Sequence, residues 1–207
     1  MDVEVTALSE MERDALAELA NMGVNRAAAG LRQMLDEKIL LSVPSVAIIP
    51  RETAAQFVEE SNAPKLIAVQ QSFEGSFSGR ALLIFPETRS LELVRSILGD
   101  ERSLEDIVMM EHEVLAETGN IVLNAFLGTI ANVLSQGIRM SLPSVIRGSG
   151  ARLFEDRGAT SNLVLLLYVA FIIRDRDLQG FIALLMDLPA ITTLKLIVRD
   201  FIKGIDQ

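Results

Sequence analysis

The sequence has no cysteine and no tryptophan, and it contains a single histidine and a single tyrosine among 207 residues. Without cysteine, neither a disulfide framework nor a thiolate metal site can form. Nine phenylalanines supply nearly all of the aromatic side chains, although hydrophobic residues make up 50% of the chain. The core is therefore expected to consist mainly of leucine, isoleucine, valine, alanine and methionine.

Basic residues are also scarce, because 19 lysines and arginines stand against 28 acidic residues and give a formal net charge of -9. This charge would repel phosphate backbones and anionic lipid headgroups, so neither nucleic acid nor a membrane is expected as a partner. The N-terminal segment lacks the basic residues and apolar core of a signal peptide. The longest apolar run, at 163–173, is too short to cross a bilayer and is expected to be a buried strand. These features predict a cytoplasmic protein.

The chain repeats itself at a constant offset of 99 residues. Between 14–46 and 113–145, eleven of 33 aligned positions are identical. The identical pairs include Glu18 and Glu117, Asn21 and Asn120, Asn25 and Asn124, and Pro44 and Pro143. Agreement of this size without a gap indicates an internal duplication. It predicts a first repeat at 9–99 and a second at 103–204 within a single domain spanning 1–207.

Each repeat is predicted to contain a long helix, three strands and a shorter closing helix, in the order α-β-β-β-α. In the first repeat, a capping-box pattern at Ser9–Glu12 opens a helix that ends near residue 36. Strands are predicted at 39–49, 65–73 and 76–85, and a helix at 87–98 that ends at Gly99. Pro44 interrupts the first strand, which indicates an edge strand or a bulge.

The second repeat is predicted to have a helix at 106–135, strands at 138–147, 162–173 and 180–187, and a helix at 189–202. The polar, glycine-rich segment 147–161 is expected to be a mobile loop. Together the repeats predict an α/β (α+β) fold. In this fold, six strands form a mostly antiparallel sheet or pair of sheets, flanked by two long and two shorter helices.

Each long helix carries a polar stripe whose spacing places its residues on one helix face. The members are Asp14, Glu18, Asn21 and Asn25 in the first repeat and Glu113, Glu117, Asn120 and Asn124 in the second. A solvated helix face would explain a single stripe. Asparagine is a poor helix former, however, and the same Glu and Asn occur in both repeats while their neighbours differ. A carboxamide both donates and accepts hydrogen bonds, so it can hold a water molecule in line with a phosphorus atom.

Both repeats match one motif, which consists of an acidic residue or serine, three residues, Glu, two residues, Asn, 22 residues and Pro. The matching residues are Asp14, Glu18, Asn21, Pro44, Glu113, Glu117, Asn120 and Pro143. This pattern resembles that of the CheC/CheX/FliY family of chemotaxis response-regulator phosphatases. The length and the duplication resemble the CheC branch of that family, and the resemblance covers nearly the whole chain.

The resemblance implies a phosphatase that accelerates hydrolysis of the aspartyl phosphate of a CheY-like receiver domain. Asn21 or Asn120 would orient the attacking water, and Glu18 or Glu117 would contact a lysine of the receiver. The Mg²⁺ ion would belong to the receiver, so the resemblance implies no cofactor or metal of this chain's own. Four further residues would support the motif, namely Asp14, Pro44, Glu113 and Pro143.

The chain departs from the family pattern at Ala20, because a glycine commonly precedes the asparagine, as Gly119 does in the second repeat. We expect Ala20 to narrow the approach of a receiver, which ranks the second site first. Asn25 and Asn124 are expected either to extend the docking surface or to be buried amides. Two other functions stay open: a non-catalytic CheY-binding or flagellar-switch-type module of the same fold, and an adaptor that binds the deamidase CheD.

Overall fold

The computed structural model describes residues 8–35, 39–62, 65–99, 101–155, 163–173 and 176–205. Its elements form two similar series along the chain. The first series comprises α1 (Glu10–Leu35), β1 (Ile39–Pro50), α2 (Arg51–Asn62), β2 (Leu66–Gly75), β3 (Gly79–Pro86) and α3 (Glu87–Leu98). The second comprises α4 (Leu104–Val133), β4 (Ile138–Met140), β5 (Ser144–Gly148), α5 (Gly150–Leu153), β6 (Leu163–Ile173), β7 (Arg176–Leu185) and α6 (Leu188–Ile205).

The predicted fold class, an antiparallel sheet with flanking helices, is confirmed, but the order of elements needs correction. Helix α2 follows the first strand directly, in a segment for which no helix is predicted. The prediction of a mobile loop is wrong for 147–153, because β5 extends through Gly148 and α5 follows it. Residues 156–161 of that predicted loop lie outside the described residues. One predicted strand is divided into β4 and β5, so the described residues form a sheet of seven strands rather than six.

The sheet is built by an exchange of strands between the two series. Its strands run in the order β1-β6-β7-β3-β2-β4, and β5 also pairs with β2. Leu83 in β3 lies opposite Ile182 in β7, its counterpart in the duplication, so the pseudo-two-fold axis passes between these two strands. The first strand of each series pairs with the hairpin of the other: β1 pairs with β6, and β4 and β5 pair with β2. The prediction that Pro44 marks an edge strand or a bulge is confirmed, because β1 lies at the sheet edge and changes register between Ser42 and Ser45.

The two long helices lie on one face of the sheet and cover the larger hydrophobic core. Helix α1 packs against α4 and β1, and α4 also packs against α3 and strands β2 to β5. On the opposite face, α2 and α5 cover a smaller cluster that includes Ala54, Val58 and Leu153. By length and composition, helix α4 could cross a membrane. However, 61% of its most apolar 18-residue stretch is buried within the protein. This apolar character is that of a core helix.

Helix α1 begins at the predicted capping box. The Ser9 amide donates a hydrogen bond to Glu12 Oε2 at 2.7 Å, and the Glu12 amide donates to Ser9 Oγ at 3.2 Å. Arg199 on α6 forms an ion pair with the Glu12 carboxylate, which is only 2% exposed. Burial would raise the pKa of Glu12, but the capping amide and the cations Arg199 and Lys195 together lower this pKa below its ordinary value. The charged carboxylate therefore fastens the start of α1 to α6.

Gly119 sets the separation between α4 and the sheet. A Cβ atom at this position would lie 2.3 Å from Val69 Cγ1 and 2.4 Å from Val69 Cβ, far inside van der Waals contact. A Cβ atom at Gly128, in the same helix, would have no neighbouring atom within 4 Å. The missing side chain at Gly119 therefore lets α4 approach β2 closely enough for Asn120, the next residue, to contact the Gln71 side chain of β2.

Replacing these two glycines by alanine should change stability in opposite directions. Gly128→Ala should raise the free energy of unfolding by about 0.5–1 kcal/mol, because alanine loses less backbone entropy in a helix. Gly119→Ala has the same smaller loss of backbone entropy on folding. However, crowding of the new methyl group against Val69 costs about 1–3 kcal/mol and should make the net change destabilising. Chemical denaturation of both variants measures the difference, and equal effects would contradict the close helix–sheet contact.

The lowered pKa of Glu12 predicts a specific dependence of stability on pH. Because a proton binds more tightly to Glu12 in the unfolded chain than in the folded protein, this carboxylate stabilises the fold above its ordinary pKa of 4.5. The contribution should be lost as the pH falls below that value. Compared with Glu12→Gln, the wild-type advantage in unfolding free energy should be constant near neutral pH and shrink in acid. If the unfolding free energies of the two proteins changed with pH in the same way, the stabilising role of the Glu12 carboxylate would be contradicted.

Candidate functional site

Both polar stripes lie on the outer face of their long helix. The exposed members are Asp14, Glu18 and Asn25 on α1, and Glu113, Glu117 and Asn124 on α4. Asn21 and Asn120 are half-buried, beside the strand that follows each helix. The alternative that Asn25 and Asn124 are buried amides is therefore wrong, because both extend the exposed stripe. Neither Glu18 nor Glu117 forms an ion pair with any residue of the described ranges.

The carboxamide of Asn21 is fully engaged with the backbone. Its Nδ2 donates to Ala17 O at 3.0 Å and to Val43 O at 3.3 Å. Its Oδ1 accepts a hydrogen bond from Val43 N at 2.8 Å. Both N–H donors are therefore used, and Asn21 joins helix α1 to strand β1.

The carboxamide of Asn120 has a different environment. Its Oδ1 accepts hydrogen bonds from Asn124 Nδ2 at 2.6 Å and from Gln71 Nε2 at 3.3 Å. Its Nδ2 donates to no residue in the part of the chain that the structure describes. Because the carbonyl oxygen is held by two donors, the amide nitrogen is directed away from them. Asn120 thus keeps both of its N–H donors for a molecule that approaches the stripe.

The difference between the two asparagines follows from the strand beside each helix. In the first series, Val43 lies in the bulge of β1 and has no partner in the register with β6, so its N–H and C=O bind Asn21. In the second series the strand is interrupted, because β4 ends at Met140 and β5 begins at Ser144. Pro143 lies half-buried in this interruption, and Pro44 lies in the bulge.

The backbone of Ser141, at the interruption, is satisfied without help from Asn120. Ser141 N donates to Ser72 O at 2.9 Å, and Ser72 N donates to Ser141 Oγ at 2.9 Å. The Gln71 side chain donates from Nε2 to Ser141 O at 2.8 Å. The duplication therefore provides two versions of one local structure: a carboxamide of the long helix binds the backbone of the break in the first, and side chains of β2 and of the break itself bind it in the second.

The surface around Asn120 is also more open than the surface around Asn21. Leu142, next to the interruption, is 89% exposed, whereas its counterpart Val43 is only 3% exposed. Met109 lies one turn before Glu113 on α4, continues the stripe towards the helix start and is 81% exposed. The second stripe is therefore flanked by two apolar side chains that are available to a partner.

The expectation about Ala20 is wrong. Ala20 is fully buried and faces the core, as does its counterpart Gly119, which contacts Val69 of the sheet. This position controls how closely each helix approaches the sheet, and its side chain does not meet a molecule that approaches from outside. The second site is still the more accessible one, but for a different reason: both N–H donors of Asn21 are used, whereas those of Asn120 bind none of the residues that the structure describes.

The second stripe can therefore hold a water molecule or a phosphoryl oxygen through Asn120 Nδ2, beside the exposed carboxylate of Glu117. Within the described ranges, no group of three or more His, Asp or Glu side chains could hold a metal ion. Gln71, Ser141 and Leu142 are missed by the sequence analysis. No local spacing connects Gln71 to a residue 49 positions further along the chain. Comparing β2 with β6 could have found it, because Gln71 stands where the other hairpin has an apolar residue.

Two family models match the chain. The model described as "Chemotaxis phosphatase CheX" matches residues 67–165, and the model described as "CheC-like family" matches residues 11–48. The first range includes Glu117 and Asn120, and the second includes Glu18 and Asn21.

Sequence relatives and a solved structure agree with these models. The flagellar motor switch phosphatase FliY of Bacillus subtilis is 28% identical over 144 residues, which are 69% of this chain and 37% of that protein. The CheY-P phosphatase CheC of Bacillus subtilis is 25% identical over 141 residues, 67% of each chain. The crystal structure of Thermotoga maritima FliY shares the fold with a TM-score of 0.72 and 15% identity, covering 94% of this chain and 98% of that chain.

The two family-model matches fall on the two halves of the chain and together include both copies of the motif. The aligned part is little more than a third of Bacillus subtilis FliY and about two thirds of Bacillus subtilis CheC. The solved FliY has the same arrangement of helices and antiparallel sheet. The chain is thus similar, in both of its halves, to proteins of the CheC/CheX/FliY family.

Proposed function

We propose that this chain accelerates hydrolysis of the aspartyl phosphate of a CheY-like receiver domain, and that the second stripe is the main site. One observation carries this proposal: Asn120 presents, beside Glu117 on an exposed helix face, two N–H donors that no described residue uses. Similarity to the CheC/CheX/FliY family supports the choice of substrate, because the CheC relative is named as a CheY-P phosphatase. The proposed location is the cytoplasm, as the sequence predicts.

In the proposed reaction, Asn120 Nδ2 donates a hydrogen bond to the oxygen of a water molecule and holds it opposite the acyl oxygen. The second lone pair of this water attacks the phosphorus atom. The bond between phosphorus and the receiver's aspartate oxygen breaks, its electron pair stays on the carboxylate, and a water proton passes to a phosphoryl oxygen. Asn120 contributes by orientation, and it is neither protonated nor covalently changed.

Glu117 is proposed to pair with the receiver lysine that lies near the phosphate. Its carboxylate is exposed one turn before Asn120 and pairs with no cation in the described part of the chain. An unpaired surface carboxylate can form an ion pair without first breaking another. The Mg²⁺ ion is proposed to be a ligand of the receiver. Binding to CheD stays a prediction from the sequence.

For the first stripe, a binding role without hydrolysis is the better-supported function. Glu18 is exposed and can contact a receiver, but Asn21 would have to break three hydrogen bonds before it could hold a water molecule. Breaking them would leave the backbone groups of Val43 without partners. The flagellar-switch-type binding function is therefore proposed for the first half alone.

The two asparagines should respond differently to replacement by alanine. Asn120→Ala should lower the rate of phosphate release from a phosphorylated receiver by on the order of a hundredfold, the usual effect of removing one oriented donor. Asn21→Ala should leave this rate nearly unchanged, but it should lower the free energy of unfolding by about 1–3 kcal/mol, because Val43 loses its partners. Stopped-flow measurement of receiver dephosphorylation and chemical denaturation test the two halves of this prediction.

Asn25→Ala serves as the control, because Asn25 is exposed on the first stripe and outside the motif. Full activity in the Asn120→Ala variant would contradict the proposed site. Loss of activity in Asn21→Ala, at unchanged stability, would show instead that the first stripe carries the reaction.

Leu142 should contribute to receiver binding through its exposed side chain. Because burying a leucine side chain contributes about 1.5–3 kcal/mol, Leu142→Ser should raise the KM for the phosphorylated receiver by about tenfold or more. The kcat value should stay close to that of the wild type, since Leu142 does not contact the reacting atoms. Leu196→Ser, at an exposed leucine of α6, is the matched control. An unchanged KM in Leu142→Ser would remove this residue from the docking surface.

A further inference from the structure

We propose that Gln71, a residue of the first half, is the positioning residue that makes the asparagine of the second half available for catalysis. This inference rests on the proposed function, because it concerns how Asn120 is held. Gln71 lies in β2, is only 1% exposed and cannot reach a docked partner itself. Its effect is transmitted entirely through Asn120 and through the interrupted strand.

The hydrogen bonds fix the orientation of both carboxamides. Ser141 O can only accept, so the group of Gln71 that faces it at 2.8 Å must be the nitrogen. The same nitrogen lies 3.3 Å from the Asn120 side chain, which must therefore present its oxygen. The 2.6 Å hydrogen bond from Asn124 Nδ2 to this oxygen requires the same orientation. Asn120 Nδ2 is consequently directed away from the sheet.

Gln71 also relieves Asn120 of a structural task. In the first half, Asn21 provides the partners for the backbone of Val43 in the bulge. In the second half, Gln71 provides the partner for the corresponding break in the strand, at Ser141. The C=O of Leu142, the counterpart of Val43, accepts from Ser141 Oγ at 3.1 Å, so neither of these two carbonyls uses a donor of Asn120.

The two hairpins differ at the position of Gln71. Gln71 lies opposite Ala81 in β2–β3, and Val169 lies opposite Gly180, the counterpart of Ala81, in β6–β7. Val169 is fully buried, so an apolar side chain fills this position well in the first site. Gln71 Oε1 is buried and accepts no hydrogen bond from the described residues. A glutamine with an unpartnered buried oxygen is a poor choice for packing alone, which favours a role in orienting Asn120.

The test is the variant Gln71→Met, which keeps the length of the side chain and removes both polar atoms. For a phosphorylated receiver, kcat should fall by about ten- to a hundredfold, because the water would be misplaced. The KM should not change, since Gln71 is not on the docking surface. Gln70→Met is the matched control: Gln70 is the adjacent residue, its side chain contacts Arg80 on the opposite face of the sheet, and its replacement should leave kcat unchanged.

A crystal structure of Gln71→Met gives a readout that does not depend on activity. The Asn120 carboxamide should rotate and donate to the backbone of the strand break, as Asn21 does in the first half. An unchanged Asn120 orientation, or wild-type kcat in Gln71→Met when Asn120→Ala is inactive, would overturn the positioning role while the proposed function stands. If the wild-type protein releases no phosphate from any receiver, the proposed function fails, and the orientation of Asn120 in this crystal structure alone decides the role of Gln71.

Discussion

The central constraint in this protein is that backbone groups in a broken strand need hydrogen-bonding partners. Beside each long helix, the neighbouring strand departs from regular pairing, once as a bulge and once as an interruption. Unpaired N–H and C=O groups near a core are costly, so some side chain must bind them. In the first half Asn21 does this, and in the second half the side chains of Gln71 and Ser141 do. The chemistry available on the helix face depends on which residue is used.

Much of the fold could be predicted because its signals are local. The capping box at Ser9–Glu12 and the end of α3 at Gly99 depend on neighbouring residues only, and both are confirmed. The apolar run at 163–173 forms a buried strand, as predicted. The polar stripes are placed correctly on the outer helix faces, because helical spacing alone decides which residues share a face. That asparagine and glutamate act in hydrolysis stays a prediction.

Features that depend on distant contacts could not be predicted. The sequence pattern does not predict helix α2, because its buried side chains are small and give a weak apolar pattern next to a strand. These side chains are Ala54, Ala55 and Val58. The expectation that Ala20 narrows the approach of a receiver is wrong, because the packing of α1 against the sheet decides which positions near the stripe face inward. The link between Gln71 and Asn120 depends on the pairing of β2 with β4 and β5, and no spacing within either repeat encodes it.

The exchange of first strands has a consequence for synthesis of the protein. Strand β1 leaves the ribosome early, but its pairing partner β6 ends at Ile173, well into the second repeat. Until then, one edge of the first half stays unpaired, and the nascent chain carries an exposed template for wrong pairing. Long-range pairing of this kind also slows folding. A duplicated protein that exchanges strands therefore completes its first repeat only after most of the second has been made.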